Sequence, residues 1–239
     1  MTEHYAILSC DDKSNYIDFW PTVSFLWDKL IGVKPVLLLI GDENSDIYEC
    51  GIGHGLVKKI KAVTGNRIFE AQVSRLYGPS MFPESKCIIS DIDMLPLSRE
   101  YFSECLSNAT RSSFNVYSSD AYGETEKFPM CYNVASGDVF SEIFDIHDYE
   151  SFIIKTATDF GMSWSTDEIM LYKKVHKYPF LQKYNRGWTG GFAARRIDRG
   201  YWKVDEKLVS DGYYIDCHSL RPFKNHEKEI EKIWKPLIS

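Results

Sequence analysis

The chain has 239 residues, 44% of them apolar and 26% charged, with 28 Lys and Arg against 34 Asp and Glu. Such a composition excludes a disordered chain, a collagen-like repeat and a disulfide scaffold, and the length suits one α/β domain of generous size. A formal net charge of −6 argues against a general nucleic-acid binder, which needs a concentrated basic surface, but is compatible with a nucleotide held through a bridging metal.

The first expected element is a strand at Tyr5–Ser9, left by a polar loop at Cys10-Asp11-Asp12. Between Pro21 and Leu30, Val23, Leu26, Trp27 and Leu30 fall at helical spacing, and Gly32 is placed to cap the helix. Pro35 then introduces Val36–Ile40, a continuous apolar run of the kind buried on both faces of a sheet, closed by Gly41-Asp42-Glu43-Asn44. Strand, helix, strand at this spacing opens a mostly parallel sheet flanked by helices. A helix over Gly55–Val63, a short strand at Arg67–Phe69 and a helix over Gln72–Met81 follow, then a buried strand at Cys87–Ile89. Tyr117–Asn133 reads as irregular strands and loops rich in aromatics. Helices are expected at Phe140–Phe144, Tyr149–Asp159 and Thr166–Val175, with Thr166 a good N-cap. A last helix is capped by Asn225, shows Ile230, Ile233 and Trp234 on one face, and stops at Pro236. No repeat or linker interrupts the chain, so a single domain over 1–239 is the simplest account.

The opening MTEHYAILSCDDKSN has neither the basic nor the apolar region of a secretion signal, and Val36–Ile40 is far too short to span a membrane. A soluble, cytoplasmic protein is therefore expected, and the sequon Asn108-Ala109-Thr110 is read as chance. Cys10, Cys50, Cys87, Cys105, Cys131 and Cys217 form no C-x-x-C pair, so neither a zinc site nor a disulfide framework is signalled.

Chemistry concentrates in Cys87-Ile88-Ile89-Ser90-Asp91-Ile92-Asp93-Met94-Leu95-Pro96-Leu97. Two carboxylates at i and i+2 directly after an apolar strand stand at the edge where open α/β sheets bind ligands. They suit a hard divalent cation, Mg²⁺ or Mn²⁺, which takes few protein carboxylates and completes its shell with phosphate oxygens. The bland reading is a strand-end turn with two solvated aspartates; the apolar segments on both sides weigh against it.

This segment resembles the Asp-x-Asp motif of the GT-A family of nucleotide-sugar-dependent glycosyltransferases. The resemblance extends more weakly to Ser74-Arg75-Leu76-Tyr77-Gly78-Pro79 upstream and to Asp216-Cys217-His218 downstream. The compact size is similar to that of small viral enzymes of the family that decorate capsid glycans. In some retaining members a late H-x-x-G-x-x-K supplies a metal-binding His and a phosphate-binding Lys. His218 and Lys224 have that spacing, with Arg221 in place of the glycine. The resemblance implies Asp93 as a direct metal ligand, Asp91 on the metal through water or on the ribose, and His218 as third ligand. It implies Ser9 and Cys10 in the nucleoside pocket, Arg75 at the ribose or diphosphate, Lys224 on phosphate and Asn133 at the donor sugar. A nucleotide-binding half to about residue 97 and an acceptor-binding half from about 98 would follow.

Ser165-Thr166-Asp167-Glu168 opens a helix, and acidic residues there complement the helix dipole whatever else they do. The resemblance implies that this acidic pair lies under the sugars, deprotonating the attacking hydroxyl in an inverting course or hydrogen-bonding the donor sugar in a retaining one. Asp167 is slightly favoured over Glu168. Trp164, Trp188, Tyr201 and Trp202 are candidates for stacking on an acceptor, and Gly187-Trp188-Thr189-Gly190-Gly191 for part of a closing loop.

The expectation is thus a glycosyltransferase using Mn²⁺ or Mg²⁺, a nucleoside-diphosphate sugar (UDP favoured) and a glycan or other hydroxyl acceptor. Two alternatives stay open. One is a Mg²⁺-dependent phosphatase of haloacid-dehalogenase type, although Gly41-Asp42-Glu43-Asn44-Ser45-Asp46 precedes the Asp-x-Asp instead of following it. The other is a sugar-binding module without turnover. Gly51-Ile52-Gly53-His54-Gly55 has the wrong spacing for a dinucleotide fold.

Overall fold

Runs as apolar as Val36–Ile40 leave no polar face, so they must be covered on both sides. In the computed structural model, which describes residues 3–13, 15–42 and 53–238, they are. Strand β1 (Tyr5–Asp11) leads through a 3-10 turn into α1 (Trp20–Phe25), whose last turn widens over Leu26–Ile31. Gly32 ends it in the left-handed region at φ +83°, its N–H donating to the Trp27 carbonyl, as the sequence predicts. Then come β2 (Lys34–Gly41), β3 (Leu56–Lys61), α2 (Arg67–Tyr77), β4 (Lys86–Ile89), β5 (Met94–Pro96) and α3 (Arg99–Asn108). The second half supplies β6 (Phe114–Tyr117), β7 (Asn133–Ser136), α4 (Gly137–Phe144), α5 (Tyr149–Phe160), α6 (Thr166–Val175) and β8 (Leu181–Tyr184). Last are β9 (Arg196–Asp198), α7 (Glu206–Ser210), β10 (Asp216–His218) and α8 (Phe223–Trp234).

Seven strands form one sheet in the order β3-β2-β1-β4-β7-β6-β8. The β1–β2, β1–β4, β2–β3 and β6–β8 pairings are parallel, while β7 runs antiparallel to both neighbours. Alternation along the central strands sends Leu8, Leu37, Leu39 and Ile88 to one face, against Trp20, Trp27, Phe102, Ile230 and Ile233. Ile7, Val36, Leu38 and Ile89 go to the other, against Phe69, Val73, Leu76, Phe140 and Leu171. The architecture is a mixed α/β fold with a mostly parallel central sheet flanked by helices. After β1 the chain builds outward through β2 and β3, then returns to the opposite flank with β4. That reversal opens a crevice beyond the ends of β1 and β4.

Several boundaries differ from those predicted. Gly55–Val63 is not a helix: Leu56–Lys61 is β3, paired in parallel with β2 from Val36 opposite Leu56. Leu56, Val57 and Ile60 fit helical spacing equally well, but this is an edge strand, where exposed Lys58, Lys59 and Lys61 discourage further pairing. Arg67–Phe69 is the first turn of α2 rather than a strand, because the Asn66 side chain caps it by accepting the Phe69 N–H at 3.1 Å. The helix expected to reach Met81 ends at Tyr77 and gives way to a 3-10 turn over Gly78–Met81. Cys10 and Asp11 continue β1 instead of leaving it, and α8 begins at Phe223 after Pro222, without a cap from Asn225. The helix Thr166–Val175 has the expected bounds, but Ser165 holds the cap position while Thr166 Oγ1 accepts the Ser163 N–H. Glu43–Ile52, including parts of the acidic and glycine motifs, lie outside the described residues.

Gly137 starts α4 where backbone passes very close. A Cβ there would lie 2.3 Å from the Pro79 carbonyl oxygen and 2.4 Å from that of Phe82. Gly137→Ala is expected to cost about 1–3 kcal/mol in urea denaturation, the penalty of overpacking a site whose neighbours are backbone. An unchanged midpoint would show that the 3-10 turn yields.

A second sheet, β5-β10-β9, sits beside the crevice. β10 runs antiparallel to β5, with His218 opposite Met94, and parallel to β9, with His218 opposite Asp198. Its foundation is Asp216, fully buried between two arginines. Arg186 grips both carboxylate oxygens at 2.6 Å, and Arg196 reaches the same pair at 3.0 and 2.8 Å. Burial alone would raise the Asp216 pKa, but the two guanidiniums outweigh it and hold the carboxyl well below the usual range. The sign follows: this stabilisation is full above the ordinary carboxylate pKa and fades only as pH falls toward the lowered one.

Candidate functional site

Beyond the ends of β1 and β4 lies a cavity of about 640 Å³, lined from both halves of the chain. The β4–β5 turn carries Asp91 and Asp93 into it. Pairing of β5 with β10 sets His218 beside Asp93, and the Ser219 N–H donates to the Asp93 carbonyl at 2.9 Å. Three groups converge on Asp93 Oδ2: Arg199 Nη1 at 2.5 Å, His218 Nε2 at 3.7 Å and Arg221 Nε at 3.9 Å. Burial would raise the Asp93 pKa, yet the neighbouring His218 and Arg199 hold it below the ordinary value. Burial likewise opposes charge on His218, but the Asp198 and Asp93 carboxylates beside it raise its pKa. Asp198 Oδ2 faces His218 Nδ1 at 3.3 Å, which fixes the ring and leaves Nε2 directed to Asp93.

Asp91 is placed differently from its neighbour. Its carboxylate pairs with Arg75 Nη1, and its N–H faces the Cys131 sulfur at 2.9 Å. Arg75, nearly buried on α2, also donates from Nη2 to Asp167 Oδ2 at 2.7 Å. Asp167 is 2% exposed, and its Oδ1 accepts the Glu168 N–H at 2.9 Å. Desolvation raises its pKa despite Arg75. Asp167 is therefore the buried counter-ion of an arginine, with both oxygens occupied. Glu168 is only partly buried; it accepts a hydrogen bond from the Tyr122 hydroxyl, and burial pushes its pKa up.

The cavity gathers most of the residues the sequence singles out: Ser9, Cys10, Arg75, Asp91, Asp93, Asp167, Glu168 and His218. The Ser9 hydroxyl donates to the Ala71 carbonyl. Two expected residues are not brought there. Asn133 is fully buried in β7, its amide donating to the carbonyls of Pro129 (2.9 Å) and Met130 (2.8 Å), which spends the side chain on the turn that precedes the strand. Lys224 is the second residue of α8, with its side chain 77% exposed and its ammonium 3.0 Å from Asp18. Of the aromatics, Trp164 (70% exposed) and Trp188 line the cavity, Tyr201 (65% exposed) touches Phe192, and Trp202 packs against the core. The glycine-rich turn is anchored at its base, where Asp120 accepts the N–H groups of Arg186, Gly187 and Trp188 at 2.8–2.9 Å.

Asp198, Arg199 and Tyr122 are residues that the sequence reading misses. Arg196-Ile197-Asp198 does carry a signal: one apolar residue between two charges marks a short strand with Arg196 and Asp198 on one face, and Arg199 follows it. Nothing in the sequence states that this strand lies next to His218.

Among the described residues, no three His, Cys, Asp or Glu side chains stand close enough to form a finished metal cage. Asp91 and Asp93 each pair with a different arginine, Arg75 and Arg199. A Mg²⁺ or Mn²⁺ that keeps part of its shell for phosphate needs only one or two protein oxygens. Asp93 with His218, backed by Asp198 in the manner of an outer-shell carboxylate, has the chemistry for that partial set.

No protein-family model and no curated protein matches the chain in sequence. Among solved structures it is similar to the galactosyltransferase LgtC, crystallised with donor and acceptor sugar analogues. The match covers 91% of this chain and 87% of that one, with a TM-score of 0.52 and 11% identity. The fold is GT-A-like. At that identity the likeness concerns the path of the chain. In this GT-A-like chain the cavity sits where the parallel strands end, and no helix among the described residues is long and apolar enough to cross a membrane.

Proposed function

We propose that this protein is a metal-dependent glycosyltransferase that moves a sugar from a nucleoside-diphosphate donor, UDP favoured, to a hydroxyl of a glycan or similar acceptor. The observation that carries the reading is the meeting of Asp93 and His218, 125 residues apart in sequence, in a cavity that also holds a carboxylate pair on α6. The GT-A-like fold supports it. Asp93 and His218 would hold the divalent cation, which when bound neutralises charge on the departing nucleoside diphosphate. Ser9 and Cys10, at the end of β1, would border the nucleoside. Arg75 would face the ribose or diphosphate, held by Asp91 and Asp167.

In the transfer, the bond from the anomeric carbon to the phosphate oxygen breaks, and its electron pair leaves with the diphosphate. The acceptor oxygen bonds to that carbon and gives up its proton. Of the α6 pair, Glu168 is the less buried carboxylate in the cavity, and its raised pKa suits a group that takes a proton. In a retaining course the same residue would hydrogen-bond the donor sugar. This reverses the preference for Asp167 drawn from sequence, because Asp167 is committed to Arg75. Glu168→Gln is expected to lower kcat about a hundredfold with donor binding kept, whereas Asp167→Asn weakens donor binding by loosening Arg75. Steady-state kinetics with a donor titration separate the two, and the opposite pattern would return the role to Asp167. The phosphatase alternative makes Asp91 the nucleophile, yet its carboxylate is paired with Arg75.

The direct test is release of nucleoside diphosphate from a panel of nucleotide sugars, with Mn²⁺, with Mg²⁺ and with EDTA. Metal-dependent release from at least one donor is the expected result. No release from any donor, together with metal-dependent hydrolysis of phosphate monoesters, would favour the phosphatase reading.

A further inference from the structure

We propose that Arg199 and Arg221 form the diphosphate-binding pair of this site and that their hold on Asp93 makes metal and nucleotide enter together. The inference rests on the donor-site reading above and goes beyond it by assigning a phosphate-binding role to residues outside the expected set. Lys224, the expected phosphate ligand, points away to Asp18. The two arginines instead line the cavity. Arg199 follows Asp198 directly at the end of β9, so the strand that positions the His218 partner also positions this guanidinium. Its Nη1 lies 2.5 Å from Asp93 Oδ2. Arg221 is held over the Tyr16 ring at 5.3 Å, with Nε 3.9 Å from the same oxygen. The remaining group at that oxygen is His218, 3.7 Å away.

Electrostatics make this arrangement selective. A dication approaching Asp93 alone must displace one guanidinium and sit close to another, which repels it. A diphosphate changes the balance, because the planar guanidinium fork matches phosphate oxygens better than it matches a single carboxylate oxygen. Once the arginines turn to the diphosphate, Asp93 and His218 are released for the metal. Metal and nucleotide must therefore raise each other's affinity by the same factor.

The experiment is a Mn²⁺ titration followed by electron paramagnetic resonance. It uses MnCl₂ alone and with UDP, GDP, CDP or ADP, on the wild type, Arg199→Gln, Arg199→Lys, Arg221→Gln and Asp93→Asn, with melting curves as a folding check. In the wild type at least one nucleotide should tighten Mn²⁺ binding by about tenfold or more. In Arg199→Gln, Mn²⁺ alone should bind more tightly and the nucleotide should add little. Arg199→Lys, which keeps the charge but not the fork, should exclude free Mn²⁺ yet bind the nucleotide complex weakly. Arg221→Gln should lose nucleotide affinity with a smaller gain for free Mn²⁺. Undiminished coupling in Arg199→Gln, or a wild type that binds Mn²⁺ equally well without nucleotide, overturns the proposal and leaves the donor-site reading standing. No Mn²⁺ binding with any nucleotide, or an Asp93→Asn protein that titrates like the wild type, overturns both.

Discussion

Asp93→Asn is expected to lower kcat/KM for metal-dependent release of nucleoside diphosphate by about a hundred- to a thousandfold, the usual cost of removing a principal electrostatic stabiliser of a departing anion. The substitution keeps the shape of the side chain and an oxygen that can still accept from Arg199, so the fold should survive. What it removes is the charge on which Arg199, His218 and Arg221 converge. The loss should fall on metal dependence first, with the residual rate insensitive to Mn²⁺ concentration. Activity retained at the wild-type level, with an unchanged Mn²⁺ optimum, would show that Asp93 only anchors the three cationic groups. Because Arg199 pairs with Asp93 at 2.5 Å, melting temperature separates the two outcomes. A structural anchor would lose stability without losing turnover per folded molecule.

The second large effect concerns stability. Asp216→Ala leaves Arg186 and Arg196, both almost fully buried, without the carboxylate they share. Breaking one side of such a buried pair costs about 3–5 kcal/mol, because an uncompensated charge stays behind. Urea denaturation should show a loss in this range, and a loss under about 1 kcal/mol would mean that water or a rearranged Tyr101 or Trp188 takes over the guanidiniums. Both rings already pack against them, Tyr101 at 5.6 Å from Arg186 and Trp188 at 5.3 Å from Arg196. The consequence reaches the site, since β10 carries both Asp216 and His218. A loosened β10 should therefore also weaken the His218–Asp93 contact.

Much of this was legible in the sequence, for identifiable reasons. Val36–Ile40 and Cys87–Ile89 read as strands buried on both faces because only such burial tolerates these runs, and both are paired on each side within the sheet. The location of Asp91 and Asp93 beyond a strand end followed from the same logic. Leu56–Lys61 did not read as a strand, because at a sheet edge only one flank is paired and the lysines blur the apolar alternation. Its pairing with β2 is a tertiary contact that no local pattern contains. Helix α2 starts earlier than its apolar spacing indicates because the Asn66 side chain caps it at Arg67. At the site, residue types were more legible than partners. Lys224 matched a spacing, but α8 turns it toward Asp18; Arg221, noted as a departure from the pattern, is the residue that enters the cavity. Asp198 and Arg199 depend on the parallel β9–β10 pairing, which joins segments about 20 residues apart through a connection with no periodic signal.

We propose that this cavity binds a nucleotide sugar through a metal held at Asp93. Thermal shift of the wild type and Asp93→Asn against a panel of nucleotide sugars, each with and without Mn²⁺, tests it most directly. Stabilisation that needs both metal and nucleotide sugar, and that disappears in Asp93→Asn, is the predicted result. Stabilisation that persists without metal and in the variant, or none with any nucleotide sugar, would contradict it.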